Sequence, residues 1–130
     1  MNNYETLLAE YDGTLTIAEE KMINLGLYCD GYIWINSQQT TSKKACILAE
    51  EIGHDKTSVG NILDQSDLNN AKQEQKARVW AYNKLLSVDK VIEAASKGYT
   101  TTWDMSEYLD VDEEFLKDYL AWQGILDISL

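Results

Sequence analysis

The chain has 130 residues, of which 45% are hydrophobic, and its formal net charge is −11. This length and apolar content indicate a globular chain with its own core, and the charge argues against direct nucleic-acid binding, which needs clustered Lys and Arg. With no apolar run of about eighteen residues and no signal-peptide pattern at the N-terminus, we expect a cytoplasmic protein without a membrane span.

The first part of the chain predicts a short helix and then a small sheet. Apolar residues recur at helical spacing over residues 3–11. Three segments rich in apolar and β-branched residues predict strands: Leu15–Ala18, Leu25–Cys29 and Tyr32–Asn36. Asp30-Gly31 separates the last two and is typical of a hairpin turn. Tyr32–Asn36 is apolar on both faces, which fits either a buried strand or one that flanks a binding groove.

The remainder predicts helices. Their predicted ranges are 43–56, 70–86, 88–97 and 113–123, with a further helix that follows its cap Thr102 and ends at Leu109, and a loop is predicted at 57–69. The predicted N-caps are Thr41 or Ser42, Ser87, Thr102 and Asp112. A small sheet followed by helices indicates the α+β class in a single domain spanning residues 1–130. The two cysteines, Cys29 on a strand and Cys46 on a helix, are expected as buried free thiols.

The most informative segment lies on the helix predicted at 43–56. Glu50 and His54 are four residues apart, so they share one helix face with the spacing of two ligands to one ion. Glu51 follows Glu50 at the position that carries the general base in the motif H-E-x-x-H. His54 is the only histidine of the chain. The same residues also fit a helix end with solvated acids and a histidine at the negative end of the helix dipole.

A third metal ligand is expected from the next helix, because a catalytic zinc site uses three protein ligands and a water. Glu74 is the best candidate, since the small residues Ala77 and Ala81 place it on the face that packs against the first helix. Asp64 and Asp67 are weaker candidates in the predicted loop. Cys46, four residues before Glu50, is better explained as buried beneath the site than as a thiolate ligand.

Residues from about 26 to 90 resemble the ImmA/IrrE family of metallopeptidases of phages and mobile elements. The resemblance rests on the extended segment ending in Ile33–Asn36 and on two motifs. Leu48-Ala49-Glu50-Glu51-Ile52-Gly53-His54 stands where the family has L-A-H-E-x-G-H, and Glu74-x-x-Ala77-Arg78-x-Trp80-Ala81 stands where it has E-x-x-A-[ND]-x-[FW]-A.

This resemblance implies a zincin-like domain, with a metallopeptidase core over about 1–88 and a helical C-terminal subregion over about 89–130. It implies Glu50, His54 and Glu74 as metal ligands and Glu51 as general base. The implied metal is Zn²⁺. Glu50 departs from the family histidine, and two carboxylates would cancel the charge of the ion, which favours weaker zinc binding and makes Mn²⁺ or Fe²⁺ suitable alternatives.

The resemblance also implies a protein substrate, a repressor-type transcription regulator. The alternative is a non-catalytic protein on the same scaffold that binds and inhibits a basic partner, which Glu50 in place of histidine favours. Residues 104–118 hold seven acids and one lysine, which indicates a docking surface or, more simply, a solvated helix face. The aromatic residues that alternate with these acids are expected in the core: Trp103, Tyr108, Phe115, Tyr119 and Trp122. Such peptidases bind substrate as an added strand beside the metal helix, and Tyr32–Asn36 is a candidate for that sheet edge.

Overall fold

The computed structural model describes residues 1–57 and 67–125, and for residues 67–70 it describes the backbone alone. The described part contains six helices and three strands in the order α1 (Asn3–Glu10), β1 (Thr16–Glu20), β2 (Gly26–Cys29), β3 (Tyr32–Asn36), α2 (Thr41–Thr57), α3 (Asp67–Leu85), α4 (Val88–Ser96), α5 (Thr102–Leu109) and α6 (Glu113–Trp122). The predicted α+β class is confirmed. Among the described helices, none combines the length and apolarity that crossing a membrane requires.

The three strands form one sheet with the order β1-β3-β2. β3 is parallel to β1 and antiparallel to β2. Asp30 and Gly31 both have positive φ, at 45° and 84°, which is the backbone of the predicted tight hairpin turn. Because β3 is the central strand, the interpretation of Tyr32–Asn36 as the substrate-binding edge is wrong. Of the two edge strands, β2 packs more extensively on α2.

One face of the sheet packs on α2 and the other is open. Ile33 and Ile35 are fully buried against the helix, whereas Tyr32 is half exposed and stacks on Trp34 with ring centroids 6.1 Å apart. The side chains of β3 alternate between the two faces, as the pleat requires. The sheet therefore supports α2 from one side, and α2 keeps its other faces for α1 and α3.

The N-terminus of α2 lies slightly earlier than predicted. The helix begins at Thr41, and Thr40 Oγ1 accepts a hydrogen bond from the Lys43 backbone N–H at 3.2 Å, so Thr40 is the cap rather than Thr41 or Ser42. Thr101 likewise caps α5 in place of Thr102. Runs of neighbouring hydroxyl residues each satisfy the capping preference, so sequence does not select among them.

Helices α2 and α3 approach closely at Gly53. A Cβ atom at Gly53 would lie 2.5 Å from the backbone oxygen of Ala77 and 3.0 Å from its Cα. Ala77 and Ala81 are completely buried in this contact. The small residues therefore set the distance between the two helices that carry the candidate ligands.

The C-terminal helices close over the same core. Ser87 caps α4 as predicted, and Gly98, with φ of 96°, follows its end. Phe115 and Tyr119 of α6 pack edge-on against Tyr82 of α3, which confirms their predicted burial.

Several burial predictions for this region and for the cysteines are wrong. Trp103 and Trp122 are 58% and 43% exposed, because each short helix buries only one face and the tryptophans lie at its margin. Asp112 precedes α6 at the cap position without a side-chain cap bond, and its Oδ2 pairs with Lys43 Nζ at 3.4 Å. Cys46 is buried as predicted, but Cys29 is exposed on the open face of edge strand β2.

Candidate metal centre

The candidate centre lies where the C-terminal half of α2 faces the first turns of α3. Glu50, His54 and Glu74 each offer one ligand atom, and these atoms all lie within 4.8 Å of one another. Glu50 and His54 come from one helix face, one turn apart, as their spacing predicts. Glu74 comes from the opposite helix, held at this distance by the contact of Gly53 with Ala77. The structure thus brings together the three predicted ligands.

His54 and Glu74 already contact each other across the two helices. His54 Nε2 lies 3.2 Å from Glu74 Oε1, and the Glu74 side chain is 62% exposed while that of His54 is 15% exposed. An exposed glutamate can move its head group by a few ångströms at low cost. The pair therefore has the freedom to accept an ion between the two side chains.

Glu50 is held from the other side by a residue that the sequence patterns did not identify as part of the site. Arg78 Nη2 lies 3.4 Å from Glu50 Oε1, and Arg78 Nη1 lies 3.8 Å from Asp118 Oδ2 of α6. Arg78 follows Glu74 by four residues and so shares its helix face. That spacing was the available signal, since a basic residue on a face that meets two glutamates needs an acidic partner.

The side chain of Glu51 projects from α2 toward the edge strand β2. A Cβ atom at Gly26 would stand 3.0 Å from Glu51 Oε2 and 2.6 Å from Cγ2 of Ile47, so a larger residue here would displace these side chains. Burial raises the pKa of Glu51 to about 7, with smaller contributions from the negative charges of Glu50 and Glu74. A carboxyl group with a pKa near neutrality is suited to accept and return a proton.

The donor set fits a divalent ion. Two carboxylates and one imidazole are ligands for zinc, and this oxygen-rich set also suits manganese and ferrous iron. Glu50, His54 and Glu74 would hold the ion. Glu51 follows Glu50 in sequence but is rotated from it by about 100° around the helix, so it would stay free for proton transfer. Three protein ligands leave a position for water or substrate.

The weaker candidates do not join this group among the described residues. Cys46 Sγ lies 3.5 Å from the backbone nitrogen of Asp112, and burial raises the pKa of its thiol to about 12, so it is a packed thiol rather than a ligand. Asp64 lies outside the described residues, and so does the side chain of Asp67.

Comparison with known proteins places the chain in a family. The model of peptidase family M78, described as the IrrE N-terminal-like domain, matches residues 8–120. A search of curated proteins finds no significant match. The matched range includes both helices of the candidate centre and extends through most of the C-terminal helices. The chain therefore belongs to the IrrE N-terminal-like family of metallopeptidases, and its fold is a metallopeptidase-like scaffold.

Proposed function

We propose that this protein is a metal-dependent endopeptidase that cleaves a repressor-type transcription regulator of a phage or mobile element. The observation that carries the proposal is the meeting of Glu50, His54 and Glu74 within 4.8 Å, with the partly buried Glu51 next to them. Membership of a metallopeptidase family supports the same chemistry. The proposed ion is zinc, with manganese or ferrous iron as alternatives that the two carboxylates favour.

The proposed reaction assigns each residue a separate task. A divalent ion in this centre supplies a Lewis acid for the scissile carbonyl and for the attacking water. Glu51 takes the proton of that water and returns it to the amine that leaves. Without metal, burial raises the pKa of Glu51 to about 7, and a bound cation would favour the carboxylate form that accepts the proton.

The edge strand β2 is the proposed binding position for the substrate. Within the described part of the chain, β2 pairs with β3 and with no further strand, so its outer backbone groups are available to an extended peptide. Gly26 of this strand contacts Glu51. A peptide added along β2 would therefore run beside the proposed base.

A basic protein partner agrees with the charge of the molecule. The net charge is −11, and acids of the C-terminal helices such as Glu107 and Glu114 are exposed. Complementary charge increases the association rate with a DNA-binding regulator. We propose accordingly a cytoplasmic protein that acts on a protein partner and does not itself bind nucleic acid.

The second candidate is a non-catalytic inhibitor that binds such a partner. The contact of Arg78 with Glu50 favours it, because this ion pair occupies one ligand oxygen without any metal. Such a protein would use the same acidic surface but would not cleave its partner.

Incubation with the cognate repressor, in chelator and in added Zn²⁺ or Mn²⁺, separates the two candidates. The enzyme predicts metal-dependent cleavage, and Glu51→Gln should lower its rate by at least about 10²-fold because the general base is lost. Glu20→Gln removes an exposed acid of β1, outside the acidic C-terminal helices, and serves as the control with unchanged cleavage. A stable complex that is never cleaved, in wild type or variant, would establish the inhibitor instead.

A further inference from the structure

Arg78 stands between two acids that belong to different helices. Its Nη2 faces Glu50 Oε1 of α2 at 3.4 Å, and its Nη1 faces Asp118 Oδ2 of α6 at 3.8 Å. The side chain is 44% exposed, Glu50 is 23% exposed and Asp118 is 54% exposed. Glu50 is thus the more enclosed of the two partners and receives the shorter contact.

In this arrangement the ligands are already paired by the protein. Arg78 holds Glu50, and His54 holds Glu74. A guanidinium beside a carboxylate supplies positive charge where a cation would bind, and it does so through a fork that can serve two acceptors at once. Binding of an ion to Glu50 therefore competes with Arg78, by occupation of the carboxylate and by repulsion between like charges.

Asp118 gives the guanidinium a second acceptor when Glu50 binds an ion. Arginine keeps its charge at every relevant pH, so it must remain near an acid or enter water. Asp118 already lies within ion-pair distance, and a small rotation of the fork would strengthen this contact. Glu50 belongs to the ligand cluster and Asp118 does not, so a bound ion would compete with Arg78 at Glu50 alone.

We propose that Arg78 is a positioning residue that regulates the metal site: it pairs with Glu50 in the metal-free protein and transfers to Asp118 when a divalent ion binds. This inference rests on the proposed metal site. It adds Arg78 as a competitor of the ion for Glu50, and Asp118 as the acid that receives the released guanidinium. It also links metal occupancy to α6, which carries Asp118.

The test is the dissociation constant of Zn²⁺ and of Mn²⁺ for the metal-free protein, measured by calorimetry. Arg78→Gln should bind each ion about three- to fivefold more tightly, which is the range expected for loss of a partly exposed ion pair. Asp118→Asn should bind about two- to threefold more weakly, because the guanidinium then has only Glu50. Arg78→Lys keeps the positive charge and should return the affinity toward the wild-type value.

Two controls separate the transfer from a general effect of charge. Lys76→Gln removes a positive charge from α3, as Arg78→Gln does, and Glu114→Gln removes a negative charge from α6, as Asp118→Asn does. Each control should change the metal affinity less than the variant that it matches. In the Arg78→Gln background, Asp118→Asn should have no effect, since there is no guanidinium left to release. An equal effect of Asp118→Asn in both backgrounds would overturn the proposal.

The outcomes also distinguish this inference from the proposed function. Metal binding by wild type with an unchanged dissociation constant in Arg78→Gln overturns the inference and leaves the peptidase proposal standing. Absence of metal binding in both proteins overturns the inference and the metal site together. Tighter binding in Arg78→Gln and weaker binding in Asp118→Asn, with the effect of the latter abolished in the double variant, supports the transfer.

Discussion

Glu51 is the residue on which the proposed proton transfer depends, and its surroundings explain why it differs from other acids of the chain. The carboxyl is enclosed between α2 and Gly26, with Glu50 and Glu74 nearby. Burial and like charge both favour its protonated form. A bound cation would act in the opposite direction and favour the carboxylate, so metal binding and the readiness of the base are coupled.

Glu51 should make the stability of the metal-free protein dependent on pH. Its folded pKa of about 7 lies above the ordinary value of 4.5, so its contribution to stability is complete below about pH 4.5 and is lost as the pH rises through 7. Glu51→Gln should therefore raise the free energy of unfolding at pH 8 by about 2 to 3 kcal/mol and leave it nearly unchanged at pH 4.5. Urea unfolding in chelator at the two pH values measures both.

Glu114→Gln is the matched control for this pH dependence, because its carboxylate is exposed and pairs with Lys117 rather than with a residue of the cluster. It should alter the free energy of unfolding equally little at both pH values. A Glu51→Gln protein whose stability follows that of wild type at every pH would show that Glu51 ionises freely in the folded state.

At the residue scale, the sequence patterns identified the cluster of Glu50, His54 and Glu74 but not Arg78, the positively charged residue that pairs with Glu50. The i, i+4 spacing and the small residues after Glu74 were sufficient to bring together Glu50, His54 and Glu74. Arg78 was not found, because an ion pair across two helices depends on their separation and on the position of α6. The spacing of residues along the sequence specifies neither the separation of the two helices nor the position of α6.

The crossing of α2 and α3 is the element on which the centre is built. Glu74 meets His54 at 3.2 Å only because Gly53 allows the backbone of Ala77 to approach. Glycine costs helix stability relative to alanine, by roughly 1 kcal/mol. The close approach that it permits offsets this cost through the burial of Ala77 and Ala81.

Gly53→Ala should separate the two helices. The added methyl group would meet the Ala77 oxygen at 2.5 Å, and overpacking of this kind costs about 1 to 3 kcal/mol. We expect a lower midpoint in urea and weaker metal binding, since Glu74 moves away from His54. The gain in helix propensity partly offsets the loss of stability and does not restore the metal affinity.

The atoms involved provide an internal control for this prediction. The nearest atoms to the added Cβ are all backbone atoms of Ala77, so Ala77→Gly should not rescue Gly53→Ala. Rescue by that second change, or a Gly53→Ala protein as stable as wild type with the same metal affinity, would contradict the role of the crossing.

At the element scale, most helices and strands followed from periodicity and turn chemistry. The hairpin at Asp30-Gly31 and the range of β3 were predicted directly. The boundaries at Thr40 and Thr101 were displaced, because adjacent hydroxyl residues compete for the same capping position. The order β1-β3-β2 required the parallel pairing of β1 with β3, which is a non-local contact that local patterns do not specify.

At the scale of the whole molecule, the helices after residue 88 are joined to the centre rather than separate from it. Asp118 contacts Arg78, Asp112 contacts Lys43 of α2, and Asp110 Oδ2 accepts a hydrogen bond from the Asn3 backbone N–H at 2.7 Å. Part of the acidic segment therefore stabilises the fold. This use of the acids depends on tertiary contacts. The sequence alone therefore did not decide whether residues 104–118 form a docking surface or a solvated helix face.

The remaining exposed acids keep the molecule strongly negative, with a net charge of −11. Such a field attracts divalent ions as well as basic proteins, and salt screens it. Metal binding at the cluster of Glu50, His54 and Glu74 differs from this diffuse attraction in being saturable and dependent on particular ligands.

The most direct test of the central claim is the melting temperature of the metal-free protein on titration with Zn²⁺ and Mn²⁺, beside His54→Ala. An ion that binds only the folded state at 100 times its dissociation constant stabilises it by about 2.7 kcal/mol. We predict a saturable rise of several degrees in wild type and none in His54→Ala, which removes the imidazole donor of the cluster. Melting of wild type that is unchanged by both ions, or an equal rise in His54→Ala, would contradict a metal centre at Glu50, His54 and Glu74.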